Sequence, residues 1–263
     1  MARNLDPRSR EAKLEAIRRQ NAADAKRART LSIVAAVVVA VLVVVVVVVI
    51  ALTSRGGGEQ EAAEVVLPES TQLTADGDDA SGGFVIGEEG PVELVVFEDF
   101  QCPACKAFEE TSGDFVAELA AGSDVTVLKR PISILDRVSE TQYSTRSAAA
   151  AACIGSTGDD EAYEAFAGTL FAEQPDEAAA GAGLSDERLT EIATEAGADV
   201  GDCIDEGTYL GWVAATTESA NAQLEQLSTP TVLVDGEVVT GAEGFPPSPA
   251  ELQTAIDAAA SAG

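Results

Sequence analysis

Apolar and polar positions divide the chain into three regimes. Residues 1–30 are dominated by polar and charged positions. Residues 31–52 carry no charge, and valine fills every position from Val43 to Val49. As a helix this run would be about 33 Å long at roughly 1.5 Å per residue, enough to cross the hydrocarbon core of a bilayer. Valine is a mediocre helix former in water, but in lipid the backbone must satisfy its own hydrogen bonds, so a helix is expected there. Residues 53–83 open on Gly56-Gly57-Gly58 and continue as an acidic stretch of little apolar periodicity, the pattern of a tether.

From residue 84 the periodicity changes repeatedly. Residues 84–86 form a short apolar run closed by Gly87, and 92–97 (VELVVF) read as a buried strand bounded upstream by Gly90-Pro91. Residues 102–121 repeat Phe108, Phe115, Val116 and Leu119 at helical intervals, with Gly122 as a stop. Another strand is expected at 125–128. Residues 134–227 are alanine-rich and poor in strand signals, which predicts helices near 141–154, 160–173, 185–197 and 208–227. Within them Tyr163, Tyr209 and Trp212 read as core. The β-branched runs 231–234 and 237–240 flank Asp235-Gly236, a strong hairpin signal, and 249–260 closes the chain as a helix. The order is β-β-α-β, a helical block, then β-β-α. Phe245-Pro246-Pro247 falls in a loop, as a rigid connection or an apolar rim.

Charge sharpens this division. The chain has 16 Lys plus Arg against 45 Asp plus Glu and no histidine. Residues 1–30 carry a net +5, whereas residues 56–263 carry −35. Basic residues before the apolar run place the N-terminus in the cytoplasm and the acidic part outside. A cleaved secretory signal is the alternative, but Ala51-Leu52-Thr53-Ser54-Arg55 is a poor cleavage context. The basic segment reads equally as a surface helix on anionic lipid or as a solvated tail. The acidity argues against nucleic-acid binding. The missing histidine removes Ser-His-Asp and Cys-His catalysis and His-ligated zinc.

The candidate chemistry lies after the 92–97 strand, in Glu98-Asp99-Phe100-Gln101-Cys102-Pro103-Ala104-Cys105. A Cys-x-x-Cys pair opening a helix puts the first sulfur among unpaired N–H groups and the positive dipole end, which favour the thiolate. Pro103 costs nothing there, because its missing N–H would have been unpaired. Cys105, one turn on, can attack a mixed disulfide on Cys102 and release the partner. Metal sites and plain disulfides share the spacing, but an exported chain and a strand–helix junction favour redox catalysis. Ser228-Thr229-Pro230-Thr231 stands just before the hairpin. Cys153 and Cys203 complete four cysteines, which allow three pairings; a four-cysteine zinc site fits poorly with two isolated cysteines.

Together, FVIGEEGPVELVVFEDFQCPACKAF and LSTPTVLVDGEVVTG make the chain resemble the DsbA-like thiol-disulfide oxidoreductases of the thioredoxin fold, over about residues 84–260. The resemblance implies an α/β thioredoxin-fold domain (84–133 and 228–263) with an inserted α-helical domain (134–227). Ahead of it stand the basic tail 1–30, the transmembrane helix 31–52 and the linker 53–83. It implies Cys102 and Cys105 as the catalytic pair, Pro230 as a cis proline facing them, and Thr229, Pro103 and Ala104 as the substrate-binding surface. Cys153 and Cys203 would form a structural disulfide worth about 3–4 kcal/mol for its roughly 50-residue loop. Two departures stand out. Many relatives carry a histidine between the cysteines, where this chain has Pro103-Ala104. Relatives also often place a buried acid six residues before the first cysteine, as a proton relay; that position is Val96, leaving Glu98 or Asp99 as the relay, with a solvated or turn-capping role the other reading of Asp99.

The expected function is a membrane-tethered oxidoreductase donating the Cys102–Cys105 disulfide to newly exported, unfolded or reduced proteins. The resemblance implies reoxidation by a quinone-linked membrane partner. No cofactor, metal or nucleic acid is expected. A reductase or isomerase of the same fold, and a non-catalytic tethered peptide-binding module, are the alternatives.

Overall fold

A computed structural model describes residues 65–69, 71–72, 82–175, 181 and 183–262. The apolar run 31–52, expected to cross the membrane, lies outside the described residues. Among the described residues no helix is long and apolar enough to cross a membrane.

Six strands form one mixed sheet: β1 (Thr71–Gln72), β2 (Gly83–Ile86), β3 (Val92–Glu98), β4 (Val125–Pro131), β5 (Thr231–Val234) and β6 (Glu237–Val239), in the order β1-β2-β4-β3-β5-β6. β3 and β4 are parallel, with Val92 opposite Val125 and Glu98 opposite Pro131. β5 runs antiparallel to β3, with Leu94 opposite Val234 and Phe97 opposite Thr231. The central strand is covered on both faces, which is why its sequence is nearly continuously apolar. Leu94 and Val96 face a core that includes Phe108 and Val116 of α1 (Pro103–Ala120) and Leu252 and Ile256 of α7 (Pro249–Ala262). Val95 and Phe97 face the opposite way, into a smaller cluster with Leu128, Ile132 and Ala220.

The helical block between β4 and β5 comprises α2 (Tyr143–Gly155), α3 (Asp160–Ala172), α4 (Asp186–Glu195), α5 (Gly201–Asp205) and α6 (Leu210–Gln223). Its aromatics belong to the main core, as their helical settings predicted: Phe84 of β2 packs against Tyr163 at 5.6 Å and Trp212 at 5.4 Å between ring centroids. Gly155 admits this packing, because a Cβ there would lie 2.5 Å from the Phe84 ring. Asp159 and Ser185 cap α3 and α4, accepting from the N–H groups of Ala162 and Arg188. The Asp235-Gly236 turn has both residues at positive φ, 48° and 82°, as a tight two-residue hairpin requires.

Three differences from the periodicity have physical causes. The helix expected over 208–227 is shorter at both ends, α6 over Leu210–Gln223, and α5 precedes it as a separate short helix. α6 stops at Gln223 because Leu224 turns to extended backbone, and Leu224 and Leu227 then pack against the small rear cluster. A 3₁₀ turn at Asp136–Val138 precedes α2, whose start waits for Gln142 in the left-handed region (φ 54°). Finally, β1 lies inside the segment expected to be linker. It pairs through its backbone with β2, and a two-residue strand leaves no periodicity to detect.

Candidate active site

The parallel β3–β4 pair and antiparallel β5 end together, so Phe97, Thr231 and the start of α1 share one end of the sheet. After Glu98 the chain makes a tight turn, closed by the Cys102 N–H donating to the Asp99 carbonyl at 2.8 Å, and α1 starts at Pro103. Cys102 is therefore the N-cap residue and carries no side-chain cap bond. Its sulfur is 8% exposed as part of the residue, whereas Cys105, one turn inside, is 1% exposed. Both are free thiols. The Cys102 thiol donates to the Thr229 carbonyl at 3.2 Å, and the Thr229–Pro230 peptide is cis. Thr231 pins this loop, donating to the Ser228 carbonyl at 2.7 Å. The two motifs, 127 residues apart in sequence, thus meet at one sulfur. Pro103 is exposed and Ala104 half-buried beside it.

The two thiols are electrostatically unlike. The Cys102 pKa is pulled down from 9.0 to about 6, first by a hydrogen bond from the Cys105 thiol, then, against burial, by the Thr229 side chain and the N–H groups of Cys105 and Ala104. No imidazole is involved. Cys105 is pushed well above 9.0 by burial and by its neighbour, and the Asp99 N–H approaches its sulfur at 3.5 Å. A low-pKa sulfur at the helix start next to a high-pKa, more deeply buried one is the asymmetry that directed thiol–disulfide exchange requires.

The adjacent carboxylates part company. Asp99 accepts from the Gln101, Ile134 and Leu135 N–H groups at 2.9, 2.8 and 3.1 Å and from the Ser144 hydroxyl. It ties the active-site turn to the loop after β4 and to α2, with all its acceptor capacity engaged; burial nonetheless pushes its pKa up. Of the two roles expected for Asp99, the geometry supports the turn anchor. Glu98 faces the other way. It is buried, lies 3.8 Å from the Lys129 ammonium, and has its pKa pushed up by burial from 4.5 to about 7, with Lys129 opposing. The Tyr163 hydroxyl approaches it without reaching hydrogen-bond geometry. Lys129 stands opposite Val96 and reaches one pleat along the same face to Glu98.

Lys129 and Gln174 were missed by sequence reasoning. A lysine in phase with Val125 and Val127, on the core face of β4, was the available signal for the first. Gln174, just past the end of α3, had none. Cys153 and Cys203 are disulfide-bonded, joining α2 to α5 as the resemblance implied. The loop after β6 leaves the sheet beside β5 and exposes Phe245.

A sequence model of the thioredoxin family matches residues 79–258. The chain belongs to that family. Within it, this thioredoxin-family chain is DsbA-like. It is similar to reduced DsbA of Mycobacterium tuberculosis, with 30% identity and a TM-score of 0.56 over 68% of this chain and 98% of that one. It is also similar to the reduced disulfide bond oxidoreductase DsbG of the same organism, with 33% identity and a TM-score of 0.52 over 65% and 83%. MdbA of Corynebacterium diphtheriae, at 21% identity and a TM-score of 0.55 over 77% and 100%, shares the fold. Among curated proteins, 146 residues are 31% identical to the serine/threonine-protein kinase PknE of M. tuberculosis, 54% of this chain and 25% of that protein. The chain thus spans about a quarter of the length of the curated relatives it matches.

Proposed function

We propose that this DsbA-like chain is a thiol-disulfide oxidoreductase that donates the Cys102–Cys105 disulfide to exported proteins outside the cytoplasmic membrane. The observation that carries the reading is the unequal pair: Cys102, at the helix start beside the cis Pro230 loop, held near pKa 6, and a more deeply buried Cys105 held far above it. A substrate thiolate attacks Cys102, breaking the Cys102–Cys105 bond, and Cys105 leaves and takes up a proton. A second substrate thiolate then attacks the substrate sulfur and expels Cys102 as a stable thiolate. The substrate dithiol is oxidised by two electrons and the enzyme pair is reduced to the dithiol. A good Cys102 leaving group makes the enzyme disulfide oxidising. Glu98, held near 7 and acting electrostatically on the buried thiol, is the acid assigned to exchange the Cys105 proton. Thr229 and the surface of Pro103 and Ala104 receive the extended substrate segment. The span 31–52 tethers the domain near a quinone-linked membrane reoxidase, with the basic tail in the cytoplasm.

The direction of electron flow is tested by acid-quenching the native cells and alkylating free thiols with a mass tag. The expected pool holds Cys102 and Cys105 as the disulfide. A pool held reduced would replace this reading with a reductase or isomerase, the role for which the similarity to DsbG leaves room. A Cys105→Ala chain that traps no mixed disulfides would instead favour a peptide-binding module.

A further inference from the structure

Gln174 follows the end of α3, in the helical block, yet its hydrogen bonds are made to the active-site turn. Its Nε2 donates to the Phe100 carbonyl at 2.9 Å and the Cys102 carbonyl at 3.0 Å. Both partners are acceptors, so only the amide nitrogen can face them, which fixes the side chain's orientation. The two carbonyls bracket Gln101, so one side chain holds the peptide groups that deliver Cys102 to the helix start. The Cys102 oxygen also accepts from the N–H groups of Cys105 at 3.1 Å and Lys106 at 3.2 Å, which makes Gln174 a third donor on it. Lys106 returns the connection, its ammonium donating to the Ala172 carbonyl at 3.4 Å.

The Cys102 carbonyl oxygen is the negative end of a peptide dipole in the same residue as the reactive sulfur. Donors on that oxygen draw its charge away from a thiolate developing on the same residue. In the disulfide state there is no thiolate to stabilise, so the effect favours the dithiol form selectively.

We propose that Gln174 is a positioning residue for Cys102: by holding the Phe100 and Cys102 carbonyls, it lets the helical block set the reactivity and oxidising power of the dithiol. The inference rests on Cys102 being the reactive sulfur. It is tested on the full chain in detergent, by the pH dependence of iodoacetamide alkylation and by the redox equilibrium with glutathione. Gln174→Leu removes the donors at similar size, with Gln174→Met as a second apolar replacement should leucine disturb folding. Gln174→Glu keeps the shape and turns acceptors toward the carbonyls. The apolar variants are expected to raise the alkylation midpoint by about half to one pH unit, a roughly three- to tenfold loss of thiolate at lower pH. They should shift the glutathione equilibrium by the same factor toward a less oxidising protein, and Gln174→Glu should shift both further. Glu173→Gln breaks the neighbouring pair with Arg188 and leaves the carbonyls untouched, so it should raise neither quantity. Gln174 variants that match the wild type, or a Glu173→Gln chain that shifts upward equally, would overturn the proposal. A wild-type midpoint near 9 would instead remove the reading of Cys102 on which it rests.

Discussion

Successive side chains at the end of a strand leave in opposite directions, so Glu98 and Asp99 meet different surroundings one peptide apart. Asp99 has four donors, and Asn at that position keeps a single acceptor oxygen. Asp99→Asn is therefore expected to cost about 2–4 kcal/mol in urea unfolding, while a loss below 1 kcal/mol would show the anchor to be dispensable. The Cys102 thiol, lowered from 9.0 to about 6, stabilises the folded dithiol form; that stability is fully present above pH 9 and is lost as pH falls toward 6. Glu98, raised from 4.5 to about 7, acts oppositely, with stability lost as pH rises through that window. Cys105, raised above 9.0, begins to oppose only beyond pH 9. From pH 7 to 9 Cys102 dominates. The Tm of the reduced protein should rise relative to the oxidised protein across that interval in calorimetry of both forms, and a constant difference would contradict the low Cys102 pKa. Cys102, Cys105 and Pro230 were legible because each belongs to a local motif with a chemical reason. Lys129 and Gln174 were not, because their roles depend on what stands across a strand pair or on how the helical block packs against the active-site turn.

At the scale of elements, β2 to β6 and the hairpin were readable from apolar runs and from Asp235-Gly236, since both signals are local, whereas the two-residue β1 was not. The helical block was readable as helical but not in its breaks, because alanine-rich sequence is compatible with helix almost everywhere and tertiary contacts of Leu224 and Leu227 decide where α6 stops. The Cys153–Cys203 bond joins α2 and α5 across 50 residues, away from the reacting pair. Replacing both with alanine should lower stability by about 4 kcal/mol, through the greater freedom of the unfolded chain. Alkylation of Cys102 in that double variant should keep its pH midpoint. A shifted midpoint would mean that the bond also shapes the active-site turn.

For the whole molecule, charge governs encounter. Residues 56–263 carry −35, and only six basic residues offset their acids. An anionic disulfide such as oxidised glutathione is repelled at low salt, whereas a neutral disulfide is not. Reaction of the reduced protein with oxidised glutathione should accelerate several-fold as sodium chloride rises from about 10 to 150 mM, while a neutral aromatic disulfide reacts at a nearly constant rate. Equal salt responses would assign the effect to the protein's conformation instead.

The sequence by itself determined the local matters: an uncharged 22-residue run, the strand-to-helix junction with two cysteines, the Thr-Pro before a hairpin, and the absence of any imidazole. These are set by covalent order and short-range periodicity. Tertiary structure alone decided which groups take the place of that imidazole. Thr229 from a distant loop meets the Cys102 sulfur through its carbonyl, Lys129 meets Glu98 across the sheet, and Gln174 reaches the Cys102 carbonyl from the helical block. Each contact depends on strand register and tertiary packing, which no window of neighbouring residues contains.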